Sequence, residues 1–301
     1  MIKAITVINH LNQTLRLELA RPELSGFVIE KIKGLGPAKA QINFTEMATM
    51  DGGLDNSARL ETRDIELSLI FLEHPTIEDT RHLSYKYFPI KRNVTFRIET
   101  DKRICETVGR IEENVPDIFS KKEGCSITIL CPDPYFYSVK ENKDVYCGLN
   151  PLFEFPFENN SLEEPLIEFG EIFRNREFNI FYEGDIEIGM VINIHAIGKV
   201  SGIRITNMKT GEFLTINDER IIDIMGSGIQ AGDDLILNTN RGKKGLTMLR
   251  SGVTTNIINA LERPIKWFQL STGYNPFVIQ AEKGLTNLVL TVSYKTIYEG
   301  A

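Results

Sequence analysis

The stretch Ile127-Thr-Ile-Leu-Cys-Pro-Asp-Pro-Tyr-Phe-Tyr137 sets the architecture of this chain. Ile127, Ile129 and Cys131 share one face of an extended segment, and Ser126 and Thr128 occupy the other. That period of two belongs to a half-buried strand. Pro132 and Pro134 then remove ladder donors and hold the backbone extended, so the strand stops there. A domain boundary is therefore expected near residue 132.

Working outward, the same alternation recurs. Ile65, Leu67, Leu69 and Phe71 alternate with Glu66, Ser68 and Ile70. Val94, Phe96 and Ile98 do so before the turn pair Asp101-Lys102, and Leu288, Leu290, Val292 and Tyr294 do so near the end. Such segments build antiparallel sheets. One helix interrupts them. Thr76-Ile-Glu-Asp79 has the form of a capping box after Pro75, and Pro89 ends the segment at Phe88. Leu83 and Tyr87, four apart, would face the sheet. The reading is a mainly β chain whose first domain, residues 1–137, is an α+β antiparallel sheet with one helix.

Residues 40–64 stand apart. Asp51-Gly52-Gly53 is a turn signal, and its flanks carry Glu46, Asp55, Arg59, Glu61, Arg63 and Asp64. A hairpin this long and polar buries little against its own domain. It is expected to project, and a long unpaired edge calls for a neighbouring subunit.

Residues 138–164 read as a connector with an aromatic run at Phe153, Phe155 and Phe157. From 165 to 301 strands resume. Ile186–His195 and Ser201–Thr206 are expected to be neighbours, followed by a turn at Asn207–Gly211 and a strand over Glu212–Ile216. Ile221–Ile224, Asp234–Leu237 and Gly245–Met248 continue at a spacing of about ten residues. This predicts a sandwich or jelly roll. Residues 254–262 read as a short helix or turn.

The chain has 301 residues, 42% hydrophobic and 25% charged, which fits a globular protein of two domains and argues against disorder. A formal charge of -7 disfavours a nucleic-acid binder, which needs a basic surface. The longest apolar runs fall well short of the roughly 18 residues that span a membrane, and the N-terminus reads as a first strand with no signal peptide, so folding in a cytoplasm is expected. Cysteines at 105, 125, 131 and 147 contain no C-x-x-C pair, so zinc is not expected and reduced thiols are.

Chemistry is sparse. The histidines at 10, 74, 82 and 195 lack the spacing of a helical metal motif, and there is no G-x-S-x-G. Gly34-Leu-Gly36-Pro37 and Met225-Gly-Ser-Gly228 read as turns. The formal acid pairs are Asp233-Asp234 and Glu163-Glu164, but adjacent acids in turns are ordinarily solvated. The sequence predicts no enzyme, no cofactor and no metal. Trp267, Tyr274 and Asn275 are the residues that would stack on and hydrogen-bond a sugar ring, against a plainer role in packing.

Several motifs, in order, resemble the distal tail proteins of long-tailed bacteriophages. They are an N-terminal strand pair, Gly34-Leu-Gly-Pro37, Asp51-Gly-Gly53, Arg63-Asp-Ile-Glu-Leu67, the helix, a hairpin, and Cys131-Pro-Asp-Pro-Tyr-Phe136. Near the end come Trp267, Gly273-Tyr-Asn-Pro-Phe277, Gly284-Leu-Thr-Asn-Leu288 and a last strand to Tyr298-Glu-Gly300. The resemblance implies a structural protein of the virion tail tip, assembled in the host cytoplasm as a homohexameric ring. It implies contact with the tail tube protein above and the tail-associated tip protein below, with receptor-binding proteins carried in some members. DNA would only pass through the ring. Residues 40–64 would be a belt across the neighbouring copy, with Asp51, Gly52, Gly53, Arg59, Glu61 and Arg63 as belt residues. The second domain would be a galectin-like sandwich. A carbohydrate-binding adhesin acting through that domain is the alternative.

Overall fold

A computed structural model describes residues 1–47, 51–146, 149–150, 171–172 and 177–301. These residues are mainly β and fall into two compact units, Met1–Val139 with Ile297–Ala301, and Lys140–Thr296.

The first unit runs β1 (Ile2–Ile8), β2 (Thr14–Glu18), β3 (Phe27–Lys33), β4 (Ala40–Glu46), β5 (Gly53–Leu60), β6 (Arg63–Phe71), α1 (Ile77–Tyr87), β7 (Asn93–Thr100), β8 (Ile104–Asp117), β9 (Gly124–Cys131) and β10 (Phe136–Ser138). Among the described residues the main sheet is antiparallel, in the order β2-β1-β7-β8-β9-β6-β3. The alternation in β6 and β9 places Ile65, Leu67, Leu69, Ile127 and Ile129 in one buried layer with Phe96, Ile98 and Phe136. Removing water from that layer is the main stabilising term, at about 1.5–3 kcal/mol per large side chain.

The helix α1 starts as the sequence indicates. The Thr76 hydroxyl oxygen accepts from Asp79 N–H at 3.1 Å, and Phe88 N–H closes the last turn on Ser84 O. Its buried residues are two small ones, Thr80 and Ser84, and Ile77, Leu83 and Tyr87 pack half-buried against the core. Thr80 satisfies its buried hydroxyl by donating to Leu72 O at 2.7 Å.

The prolines after Cys131 do stop β9, and the Asp133 carboxylate accepts from Tyr135 N–H at 3.1 Å and from the Tyr137 hydroxyl at 2.6 Å. The first unit nevertheless continues to Val139, because β10 pairs both with β8 and with the chain's last strand, β23 (Ile297–Tyr298). Residues 297–301, read in sequence as the end of the second domain, therefore lie in the first unit.

Cys105, Cys125 and Cys131 are buried free thiols, while Cys147 lies outside the described residues. Desolvation pushes the three up to about 11, 12 and 11 respectively. Since the thiolate is the reactive form, peptide mapping after treatment with a thiol-specific alkylating reagent at pH 8 should find all three unmodified until the chain is unfolded.

Among the described residues the second unit is built mainly on two antiparallel sheets. Its strands are β11 (Asn142–Tyr146), β12 (Leu149–Asn150), β13 (Glu171–Ile172), β14 (Glu177–Tyr182), β15 (Val191–Ala196), β16 (Arg204–Asn207) and β17 (Phe213–Thr215). After α2 (Asp218–Met225) come β18 (Asp234–Asn238), β19 (Gly245–Arg250), β20 (Val253–Asn256), β21 (Gly273–Gln280) and β22 (Leu288–Tyr294). One sheet has the order β11-β22-β15-β18-β19-β20 and the other β14-β21-β16-β17, with β12 and β13 pairing separately.

Four local expectations change. Asn142–Tyr146, expected in the connector, is a strand on β22; Phe153, Phe155, Phe157 and the Glu163-Glu164 pair lie outside the described residues. The strand expected from Ile186 begins only at Val191; before it Ile188 forms an isolated bridge with Leu270, its N–H donating to Leu270 O at 3.1 Å and its carbonyl accepting from Leu270 N–H at 2.7 Å. Segments 186–195 and 201–206 are not neighbours: β15 and β16 belong to different sheets. Ile221–Ile224, expected as a strand, is helix α2. Asn217 caps it by accepting Arg220 N–H at 3.1 Å, and Gly226 in the left-handed region closes it.

Candidate functional site

The residues 40–64 form the hairpin β4–β5, which builds a two-stranded sheet of its own. Its pairing runs Ala40 with Leu60, Gln41 with Arg59, Ile42 with Ala58 and Asn43 with Ser57; a bulge follows, and Phe44 then opposes Asp55. The two faces differ in character. On one, Asn43 Nδ2 donates to Ser57 Oγ at 3.0 Å, Asn56 Nδ2 to Thr45 Oγ1 at 2.5 Å, and Arg59 Nε and Nη2 to Gln41 Oε1 at 2.9 and 2.7 Å. The other carries Ala40, Ile42 and Phe44 with Ala58 and Leu60, and Asp55 opposes Phe44 at its outer end. Ile42 is exposed and Phe44 is 61% exposed.

A lone two-stranded ribbon is at best marginal in water, and a contiguous apolar face on it marks a surface that something covers. The cross-strand hydrogen bonds tie the polar side chains to one another and leave the apolar face available. Asp51, Gly52 and Gly53 sit exposed at the far end, where Gly53 opposes Glu46. Glu61 lies at the base, 3.9 Å from Lys39.

Arg63, read in sequence as a belt residue able to reach a neighbouring copy, has another role. It is 2% exposed and is spent inside its own unit. Its Nε donates to Pro134 O at 2.7 Å, its Nη1 to Gly34 O at 2.5 Å and to Gly36 O, and its Nη2 to Glu299 O at 2.6 Å. The guanidinium also lies 4.3 Å from the centre of the Phe136 ring. The glycine-rich turn is thus a carbonyl cradle. Gly34 has φ +83 and passes so near the β6 backbone that a Cβ would meet Asp64 O at 2.0 Å. Arg103 adds a second clamp, with Nη2 donating to Gly300 O at 2.9 Å and the guanidinium over Tyr298.

The sugar-stacking candidates separate in the structure. Asn275 is fully buried: its amide donates to Ser271 O at 2.7 Å and Gly273 O at 2.9 Å, while its oxygen accepts from Ser271 N–H at 2.9 Å. It is a turn organiser and offers nothing to a ligand. Trp267 is half-buried. Tyr274 is 66% exposed and faces Phe181 across β14 and β21, with ring centroids 4.8 Å apart. Phe181 was legible as an outward residue of an alternating strand, since Phe178, Ile180 and Tyr182 point inward.

Asp233 and Asp234 do not converge as an acid pair. Asp234 takes His195 Nδ1 at 2.8 Å. Asp233 is buried and receives Arg250 Nε at 2.8 Å, Arg250 Nη2 at 2.6 Å and Gln230 N–H at 2.7 Å. Arg250 also donates to Ser227 Oγ and Gly228 O, so it organises the Met225–Gly228 loop. Burial pushes the Asp233 carboxyl up, but the Arg250 and Gln230 hydrogen bonds outweigh it and hold it below the ordinary aspartate range. A depressed value means stability that is present above the unfolded-state value and lost as pH falls through the folded one. Thermal stability should therefore drop on acidification below about pH 4. Asp233→Asn should start about 3 kcal/mol lower and show a flatter acid limb, because it strands the Arg250 charge.

Among the described residues no group of three His, Cys, Asp or Glu is placed to hold a metal ion, and no helix is long and apolar enough to cross a membrane.

No protein-family model matches the sequence, and no curated protein matches it significantly. Solved structures do. The Dit protein of phage SPP1, described as a paradigm of the hub adsorption apparatus in phages infecting Gram-positive bacteria, superposes with a TM-score of 0.64 at 13% identity. The match covers 97% of this chain and 99% of that one. Two chains of the phage P2 baseplate in its activated conformation match at TM-scores of 0.46 and 0.43, both at 11% identity. They cover 98% and 97% of this chain, and 99% and 98% of their own. The described residues of this chain therefore share the fold of SPP1 Dit.

Proposed function

We propose that the chain is a non-catalytic structural subunit of a phage tail hub, found in the virion, and that six copies close into a ring. In this reading the hairpin β4–β5 is a belt that lays its apolar face on the neighbouring copy. The tail tube protein would stack on one side of the ring and the tail-associated tip protein on the other, with room for receptor-binding proteins at the periphery and DNA passing through the centre. The observation that carries it is the hairpin: a ribbon with a satisfied polar face and an apolar face, Ile42 and Phe44 foremost, that its own chain leaves open. The shared fold supports the same reading.

A ring closed head to tail fits the physical chemistry of that ribbon. Covering Ile42 and Phe44 stabilises each contact by about 1.5–3 kcal/mol per side chain, and closure repeats the contact with no end left open. Negative-stain images of the purified protein should show closed six-fold rings. Particles without rotational symmetry at micromolar concentration would count against the ring.

The adhesin reading retains one specific observation, the exposed Phe181–Tyr274 pair. It predicts that Tyr274→Ala abolishes retention on host cell-wall glycan. Equal retention of both proteins, or none by either, removes that reading.

A further inference from the structure

In the second unit, the first turn of α2 and the segment 258–265 enclose a cleft of about 450 Å³ lined by Arg220, Ile258, Asn259, Leu261, Arg263 and Ile265. Two of these are guanidinium groups, and none of the described lining residues is an acid, although the chain as a whole carries a charge of -7. Two like charges facing one cleft repel each other, and an anion placed between them removes that repulsion.

The arginines are held differently. Arg220 Nη1 donates to Leu261 O at 2.9 Å and Asn259 O at 3.3 Å, which fixes the guanidinium plane and leaves its other nitrogens available. Arg263 is exposed and has no partner among the described residues. Each arginine adjoins an acid in sequence, Glu219 beside Arg220 and Glu262 beside Arg263, but neither acid lines the cleft, and Glu262 is turned to Asn217 Nδ2 at 3.2 Å. Between the arginines the wall is apolar, with Leu261 buried and Ile258 and Ile265 half-buried.

We propose that this cleft binds an organic phosphate. Two guanidinium forks line one cleft, and together they carry more N–H donors than the two oxygens of a carboxylate accept, which suits the several oxygens of a phosphate. The Ile258–Ile265 wall takes the carbon body of the ester. The proposal concerns the second unit alone and does not depend on ring formation.

Isothermal titration of the full chain with phenyl phosphate, inorganic phosphate, benzoate and phenol tests it. Phenyl phosphate should bind at one saturable site, more tightly than inorganic phosphate or benzoate, and phenol should give no binding. Affinity should fall with added salt. Arg263→Gln should weaken phenyl phosphate about tenfold or more, the loss of one charge-assisted contact, with an unchanged melting temperature because that side chain is exposed. Ile265→Ser should narrow the gap between phenyl phosphate and inorganic phosphate. The proposal is overturned by absence of saturable binding, by phenol or benzoate binding as tightly as phenyl phosphate, or by unchanged affinity in Arg263→Gln.

Discussion

Arg63→Ala is expected to destabilise the first unit by about 3–5 kcal/mol, the range seen when one partner of a buried charged contact is removed. Two effects compete. Deleting the guanidinium relieves the cost of keeping a charge at 2% exposure, a cost that already lowers its proton affinity by desolvation. It also strands the carbonyls of Gly34, Gly36, Pro134 and Glu299, at about 1–3 kcal/mol for each that water cannot reach. The stranding wins, because four acceptors lose one donor group together and the Phe136 ring loses its cation. Against a typical total stability of about 5–15 kcal/mol, that is a large fraction, and the melting temperature should drop by about 10 °C. Arg63→Lys should recover little of it, since one ammonium cannot reach four carbonyls arranged around a planar fork. Hydrogen exchange should locate the damage in residues 34–36 and 297–301. A shift under about 2 °C would show that the cradle is rebuilt by water and that Arg63 is dispensable.

The double substitution Ile42→Ser, Phe44→Ser is expected to dissociate the assembly while leaving the single chain as stable as before. Both side chains are exposed in the chain alone, and exposed substitutions ordinarily change stability by less than about 0.5 kcal/mol. In the ring each contact would lose about 3–6 kcal/mol of burial. That raises the dissociation constant by a factor of roughly 10² to 10⁴. Sedimentation across a concentration series measures this directly. A polar-face control, Asn43→Ala with Ser57→Ala, removes one exposed cross-strand hydrogen bond and should leave the constant within about tenfold of wild type. Equal weakening by both pairs would mean that hairpin rigidity, and not its apolar face, joins the copies.

Much of the fold was legible where one physical signal acted alone. The alternation in β6, β7, β9 and β22 needed only a half-buried sheet, and α1 announced itself through Thr76 and Pro89. Helix α2 was missed because Ile221, Ile222 and Ile224 suit a strand. Asn217 and Gly226, its actual signals, stand outside the apolar run. Alternation over 186–195 extends the strand too far because periodicity does not see that Ile188 pairs with Leu270 instead.

The candidate site was legible in part. A projecting hairpin follows from the polar flanks and the Asp51-Gly-Gly53 turn, and its apolar stripe is written as Ala40, Ile42 and Phe44 at a spacing of two. The role of Arg63 was not. Its partners come from residues 34, 36, 134 and 299, distances in sequence that only the folded chain closes. Asn275 was hidden likewise, since a polar residue in a strand reads as outward until the Ser271–Gly273 turn claims its amide.

The most direct test of the account is the mass in solution of the intact chain, by light scattering coupled to size exclusion, beside a chain in which residues 44–60 are deleted. A ring joined through the hairpin gives six times the 34.2 kDa chain mass for the first and the mass of one chain for the second. A single-chain mass for both at tens of micromolar, or a hexamer that survives the deletion, would contradict it.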